Sequence, residues 1–211
     1  MLCQKHYHPS NATFFTFGNV VIDEMTTWFD YDSFEVLSRN YKMSYSGFFK
    51  AGTAELTLKE TDLNGKKVFH AKGFGKTSDF IGWFFKVRDT YQSYFDYTKV
   101  KPYLFKRDVN EGGYIIKRDI QFNQETKIAT VEDFKYNTTK EVSFGDVQDM
   151  ISAFYYLRTI NTDTIKAGDE IDLNMFFDSK TFAFKLRFLG KEYIKTKFGK
   201  IKIRIDSNVN L

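Results

Sequence analysis

Acidic side chains crowd the middle of this chain. Asp89, Asp96, Asp108, Glu111 and Asp149 lie in or beside two dense blocks, Trp83–Asp96 and Asp149–Arg158. Two carboxyl groups facing one cleft, one of them holding its proton near neutral pH, are the minimum for acid–base hydrolysis of a glycan. Spacing along a chain does not reveal such a separation, and the neighbouring cations point elsewhere. Arg88 precedes Asp89 and Arg107 precedes Asp108, the pattern expected of ion-paired structural groups. Arg118 falls in register with Ile116, Ile120 and Phe122, which directs it toward the apolar side of its strand. A buried guanidinium must be paired or hydrogen-bonded, and Glu111, Asp89 and Asp149 are the expected partners. Arg88, Arg118 and Arg158 then have two uses: an internal network fixing a helix to a sheet, or a fork that anchors an anionic head group. The ligand-binding candidates are Arg88, Asp89, Glu111, Tyr114, Arg118, Asp149, Tyr156 and Arg158. No catalytic residue is assigned.

Other chemistries find less support. Gly73-Phe74-Gly75-Lys76-Thr77 resembles the end of a phosphate-binding loop, but His70 stands where that loop needs glycine, and no long helix follows. The dinucleotide pattern fails at Ser78. His6, His8 and His70 are the only histidines, too few and too scattered for a zinc site, and His70 reads as a structural residue of a strand. Ser152 falls within a helical pattern and lacks the G-x-S-x-G elbow, and Cys3 sits near a terminus. No metal and no cofactor are expected.

The 211 residues suffice for one domain with a substantial core, and 42% hydrophobic with 27% charged residues is the balance of an ordinary globular chain. Phe (24) and Tyr (13) are abundant, which favours strands. Net charge is +4, with both signs interspersed. The basic alternation Lys197, Lys200, Lys202 and Arg204 reads as a half-exposed strand and not a concentrated basic face, so no nucleic-acid partner is expected. One cysteine forbids an intrachain disulfide but leaves the compartment open. No apolar run reaches membrane-spanning length. Residues Met1–Phe17 lack the apolar core of a signal peptide, which implies either a cytosolic protein or a start site displaced from the natural one.

Short alternating segments organise the chain after residue 40. Ala54–Lys59 leads to an Asn64-Gly65 turn and a return strand through Val68, His70 and Lys72. Strands are expected at Lys86–Tyr97, Tyr103–Asp108, Tyr114–Phe122 and Lys127–Tyr136, then at Phe182–Phe188, with Gly190-Lys191 turning the chain into Glu192–Lys197. Val147, Met150, Ile151, Phe154 and Leu157 carry the stripe of a helix near 146–159, with Asp146 as its cap and Asp149 and Arg158 matching its dipole. A second helical turn is expected at Ser78–Phe84. The fold class is mainly β: curved antiparallel sheets forming an open barrel or sandwich with one packed helix.

The order of several short pieces resembles a family. Tyr45-Ser46-Gly47 is followed by Lys50-Ala51-Gly52-Thr53-Ala54, then Val87-Arg88-Asp89 with Ser93 and Asp96, then Pro102, Phe105 and Arg107. Glu111-Gly112-Gly113-Tyr114, Phe122, the Asp149–Arg158 helix, Gly168-Asp169 and Gly199-Lys200 complete it. From Tyr41 to Lys202 the chain resembles the exported bacterial family known as domain of unknown function 3108. The resemblance implies a fold similar to that of YmcC-like envelope lipoproteins, a periplasmic or outer-membrane-associated location, and an envelope lipid, polysaccharide or envelope protein as partner. It implies no catalytic residue. It also divides the chain into a poorly matched segment, 1–40, and a β domain, 41–211. Leu37-Ser38-Arg39 replaces the family's usual Gly-Glu pair, and the chain stops at Asn208-Val209-Asn210-Leu211 where the family continues, so a truncated C-terminus is expected. The expected role is non-enzymatic binding or structure in the cell envelope, with a carboxylate hydrolase of envelope glycans or lipids as the alternative.

Overall fold

The computed structural model describes the backbone of residues 20–28, 36–45, 49–79, 83, 86–161, 163–196 and 199–208, and side chains within 52–193. His6, His8, Cys3 and most of the helical turn expected at Ser78–Phe84 lie outside the described residues.

Consecutive strands pair antiparallel into a 9-stranded meander: β1 (Val20–Trp28), β2 (Val36–Tyr45), β3 (Phe49–Leu63), β4 (Lys66–Thr77), β5 (Arg88–Phe95), β6 (Pro102–Glu111), β7 (Tyr114–Asn123), β8 (Ile128–Asp133) and β9 (Thr138–Ser143). β1 and β9 are its edges, so among the described pairings the sheet is open and not a closed barrel. β1 and half of β2 lie before residue 41 and extend the same sheet. A helix, α1 (Ser152–Thr159), follows, and then a 3-stranded sheet of β10 (Glu170–Phe177), β11 (Lys180–Thr196) and β12 (Gly199–Asn208). The result is mainly β, as the alternation implies.

Turn chemistry sets the register. At the β3–β4 hairpin Asn64 and Gly65 both adopt positive φ, 54° and 81°, and Asp62 Oδ1 accepts the Gly65 N–H at 2.7 Å. Left-handed conformations cost Asn and Gly little, and their twist matches the flanking strands. Two expected elements differ. β8 ends at Asp133, because Asp133 Oδ1 accepts the N–H groups of Lys135 (3.0 Å) and Tyr136 (3.3 Å) and bends residues 134–137 into a turn. Gly190, with φ 141°, marks a register shift inside the continuous strand β11 instead of a turn. The Gly73–Thr77 segment is plain β4, whose extended backbone makes no phosphate cradle.

One face of the large sheet is apolar and covered. Across β3–β8 the register aligns Leu58, Ala71, Ser93, Phe105, Ile120 and Val131, all buried. α1 lies over this face: Ile151 and Tyr155 join its core, while Ala153 and Leu157 pack with Leu173 on the small sheet. The helix therefore sits between the two sheets. Gly73 makes room for it, since a Cβ there would meet Ile151 Cδ1 at 3.4 Å. Gln148 joins the segment before α1 to β10 through two backbone hydrogen bonds, Gln148 N–H to Asn174 O (2.8 Å) and Phe176 N–H to Gln148 O (2.9 Å). Phe122, Phe144 and Phe176 meet edge to face at 5.3–6.4 Å, joining β7, the segment after β9, and β10.

Phe176 is fully buried at the junction of both sheets. Phe176→Ala should cost about 3–5 kcal/mol, the usual range for emptying such a site. Urea unfolding with an unchanged denaturant slope would register the loss; a midpoint equal to that of the wild type would mean that the junction is not held by this ring.

Candidate functional site

A second cross-strand row, adjacent to the apolar one and on the same face, carries charge. The register aligns Leu56, Gly73, Tyr91, Arg107, Arg118 and Asp133 across β3–β8. Arg118 does point to the covered side, as its position between Ile116 and Ile120 implies. Only 13% of the Arg107 and 18% of the Arg118 side chain are exposed, so both need partners. Those partners are not Glu111, Asp89 or Asp149. Arg118 bonds Asp133 through Nε (3.1 Å) and Nη2, and donates Nη1 to Asp178. Arg107 donates Nη1 to the same Asp178 oxygen at 2.8 Å, with its guanidinium 4.4 Å from the Phe177 ring centroid. Asp178 belongs to the two-residue turn between β10 and β11 and takes a positive φ of 59°, which Asp tolerates. The tip of the small-sheet hairpin is thus clasped by two arginines of the large sheet. Burial disfavours the charge on Asp133, but the Arg118 bond and the Tyr136 and Lys135 N–H groups outweigh it and hold this carboxyl below its ordinary range.

Where β5 begins and β6 ends, two carboxyl groups meet. Asp89 is buried and accepts the Asn110 N–H through Oδ1 at 3.1 Å. Its hydrogen bond with Glu111, then burial and the charge of Asp89, raise the Glu111 carboxyl above its ordinary range, with Arg107 opposing. Tyr91 adjoins them; burial raises its phenol, Arg107 lowers it, and Asp89 and Glu111 raise it further. Outside this pair, Tyr114 faces Glu111 across the Gly112-Gly113 turn.

Asp149 occupies a different place, fully buried at the start of α1. Its Oδ1 accepts the N–H groups of Ile151 and Ser152, both at 2.8 Å, and its Oδ2 accepts the Ser93 hydroxyl at 2.5 Å. Ser152 Oγ reciprocates by accepting the Asp149 N–H at 2.9 Å, a capping box in which serine takes the third position. Asp149, not Asp146, is the cap; Asp146 is exposed and pairs with Lys101 at 2.9 Å. The helix is accordingly shorter than 146–159. Burial pushes the Asp149 carboxyl up to about 6 against the pull of these hydrogen bonds.

The eight sequence candidates therefore fall into separate places. Asp89, Glu111 and Tyr114 come together at the β6–β7 hairpin end, and Arg118 lies on the same face in the clasp. Asp149, Tyr156 and Arg158 belong to the α1 segment, where Tyr156 and Arg158 are half-buried. Arg88 points to the other face, 5.8 Å from the Phe74 ring. The adjacent pairs Arg88–Asp89 and Arg107–Asp108 do not form, because neighbours on a strand face opposite ways. Asp133, Asp178, Ser93 and Tyr91 were not among the candidates. Asp133 had a legible signal, since it alternates with Ala129 and Val131 as Arg118 does with its neighbours. Asp178 had none, because a turn sequence does not disclose where the turn docks. His70 is structural, stacked 4.2 Å from Tyr94 and hydrogen-bonded to Gln92 at 3.0 Å, with burial lowering its pKa. Among the described residues no cluster of three or more His, Cys, Asp or Glu is arranged for a metal ion, and no helix is long and apolar enough to cross a membrane.

Residues 40–205 match the family model described as protein of unknown function (DUF3108), and the chain belongs to that family. No curated protein and no solved structure matches it.

Two outcomes follow from these contacts. Arg118→Ala leaves Asp133 buried without its cation and should cost about 3 kcal/mol, lowering the melting temperature by roughly 6–12 °C. A change under a degree would make the clasp a surface pair. Because the pKa of Asp149 rises from 3.8 to about 6 on folding, its favourable contribution is complete below pH ~4 and disappears as pH rises through ~6. The change amounts to something on the order of 3 kcal/mol. Asp149→Asn keeps an acceptor for the two N–H groups and a donor for Ser93, so melting curves between pH 4 and 7 should flatten. A slope that survives in this variant would belong to other groups.

Proposed function

We propose that this member of the family is a non-enzymatic protein of the bacterial cell envelope that binds an envelope lipid, a polysaccharide or another envelope protein. The observation that carries the reading is how the charged groups of the covered face are used. Arg107, Arg118, Asp133 and Asp178 hold the two sheets together, and Asp149 holds α1 to β5 through Ser93. These groups are engaged with one another in structural contacts. The covered face itself is filled by the chain's own Phe95, Phe105, Phe122, Phe176 and Tyr155, which favours binding along the outside over binding inside. The sequence resemblance supports an exported location.

Hydrolysis by Asp89 and Glu111 is the second reading, favoured by the contact with Asp89 that raises the Glu111 carboxyl above its ordinary range. Carboxyl groups in direct hydrogen-bond contact are closer than the roughly 5 Å or more that a glycosidase needs to admit the anomeric carbon or a water. A proton-sharing dyad is the arrangement that this contact could serve.

Cell fractionation followed by native mass spectrometry of the protein recovered from the envelope tests both. The expected result is envelope recovery and a compact ion carrying a reproducible extra mass, which fragmentation identifies as lipid, glycan or protein. Recovery from the cytosol would reject the location. An empty ion, together with turnover of an envelope glycan or lipid that Glu111→Gln abolishes, would replace binding by hydrolysis.

A further inference from the structure

At the end of the sheet where β6 turns into β7 and β8 into β9, large rings stand in solvent. Tyr114 is 58% exposed, Phe134 50% and Tyr136 66%. Side chains of this size lose contact energy when left in water, and grouped exposure of this kind marks recognition surfaces. Lysines are interleaved with the rings. Lys135 Nζ lies 5.4 Å from the Tyr114 centroid and 5.3 Å from that of Tyr136, so one ammonium bridges both tyrosines. Lys117 Nζ lies 5.9 Å from Phe134.

The rings are held from behind. Phe134 N–H donates to Lys117 O at 2.9 Å, and Asp133 Oδ1 accepts the Lys135 and Tyr136 N–H groups. The other Asp133 oxygen is bound by Arg118 from the covered face. An inward ion pair thus shapes the turn that presents Phe134, Lys135 and Tyr136 outward. Little ordering entropy remains to be lost on binding, which is the condition for a surface of few residues to bind at all. Beside it, the Glu111 carboxyl adjoins Tyr114 across the hairpin and offers a hydrogen-bonding group.

We propose that this corner is a glycan-binding surface for an acidic pyranose chain, with sugar faces on Tyr114 and Tyr136, carboxylate substituents on Lys135, and a hydroxyl on Glu111. The chemistry selects this occupant. Stacked rings match the C–H faces of pyranoses, the bridging ammonium matches an anion, and the carboxyl matches a hydroxyl. The proposal rests on the binding reading above and specifies its ligand class and location.

Titration calorimetry of the full chain with a galacturonate hexamer, and with its methyl ester, tests it. The wild type should bind the acid form. Tyr114→Ala and Tyr136→Ala should each weaken binding roughly tenfold, the scale of one lost ring contact of about 1.4 kcal/mol. Lys135→Gln should weaken the acid hexamer toward the affinity of the ester. Phe182→Ala, an exposed ring on β11, should change neither. Melting temperatures of all variants are measured alongside, so that loss of fold is not read as loss of contact. No binding by the wild type, equal affinity for acid and ester, or unchanged binding in both tyrosine variants would overturn the proposal. Capture on phosphatidylglycerol vesicles that depends on the same tyrosines would overturn it in favour of a bilayer. An envelope-derived mass adduct that survives Tyr136→Ala would sink this surface while leaving the binding reading standing.

Discussion

Two arginines on the apolar side of a β-sheet impose the central constraint on this molecule. A guanidinium cannot shed its charge, and leaving one unpaired in a covered site costs several kcal/mol. Arg107 and Arg118 sit side by side on β6 and β7, where like charges repel and two anions must be brought to them. One, Asp133, lies on the adjacent strand; the other, Asp178, comes from the tip of a separate hairpin. Satisfying the pair therefore fixes where the small sheet sits. Phe177 and Phe176, the residues just before that tip, are carried onto Arg107 and into the aromatic junction by the same placement.

The other polar cluster in the interior works differently. The Asp149 carboxyl is held by two backbone N–H groups and the Ser93 hydroxyl, while Ser152 Oγ accepts the Asp149 N–H. This arrangement gives direction: it ends the extended chain after β9, starts α1, and pins that start to β5. The helix is only 8 residues long, too short to persist by itself, so its existence depends on the cap and on being packed between two sheets. Clasp and cap together explain why a chain built largely of sequential hairpins acquires a second layer.

The same ion pair reaches the surface. Asp133 has one oxygen for Arg118 and one for the backbone of the next turn, so the interior and the exposed aromatic corner share a residue. Burial of charge and presentation of the exposed aromatic corner are then one structural device viewed from its two sides. The Asp89–Glu111 contact stands at the margin of both, beside the exposed Tyr114.

Much of this was legible in the residues. Period-two alternation and the Asn64-Gly65 turn located the hairpins, and the apolar stripe placed the helix, because both signals are local and repeat every few residues. The inward aim of Arg118 followed from the same parity. What the chain could not disclose was which anions met those arginines. Residues adjacent in sequence on a strand face opposite sides, so Arg88 and Asp89, or Arg107 and Asp108, are separated by the sheet itself, while Asp178 arrives from 60 residues away. The choice of Asp149 over Asp146 as cap depended likewise on Ser93, 56 residues earlier. Local patterning thus determined the elements and the side each residue faces. Pairing among buried charges was decided by the tertiary fold, because it is set by which surfaces must be covered together and not by distance along the chain.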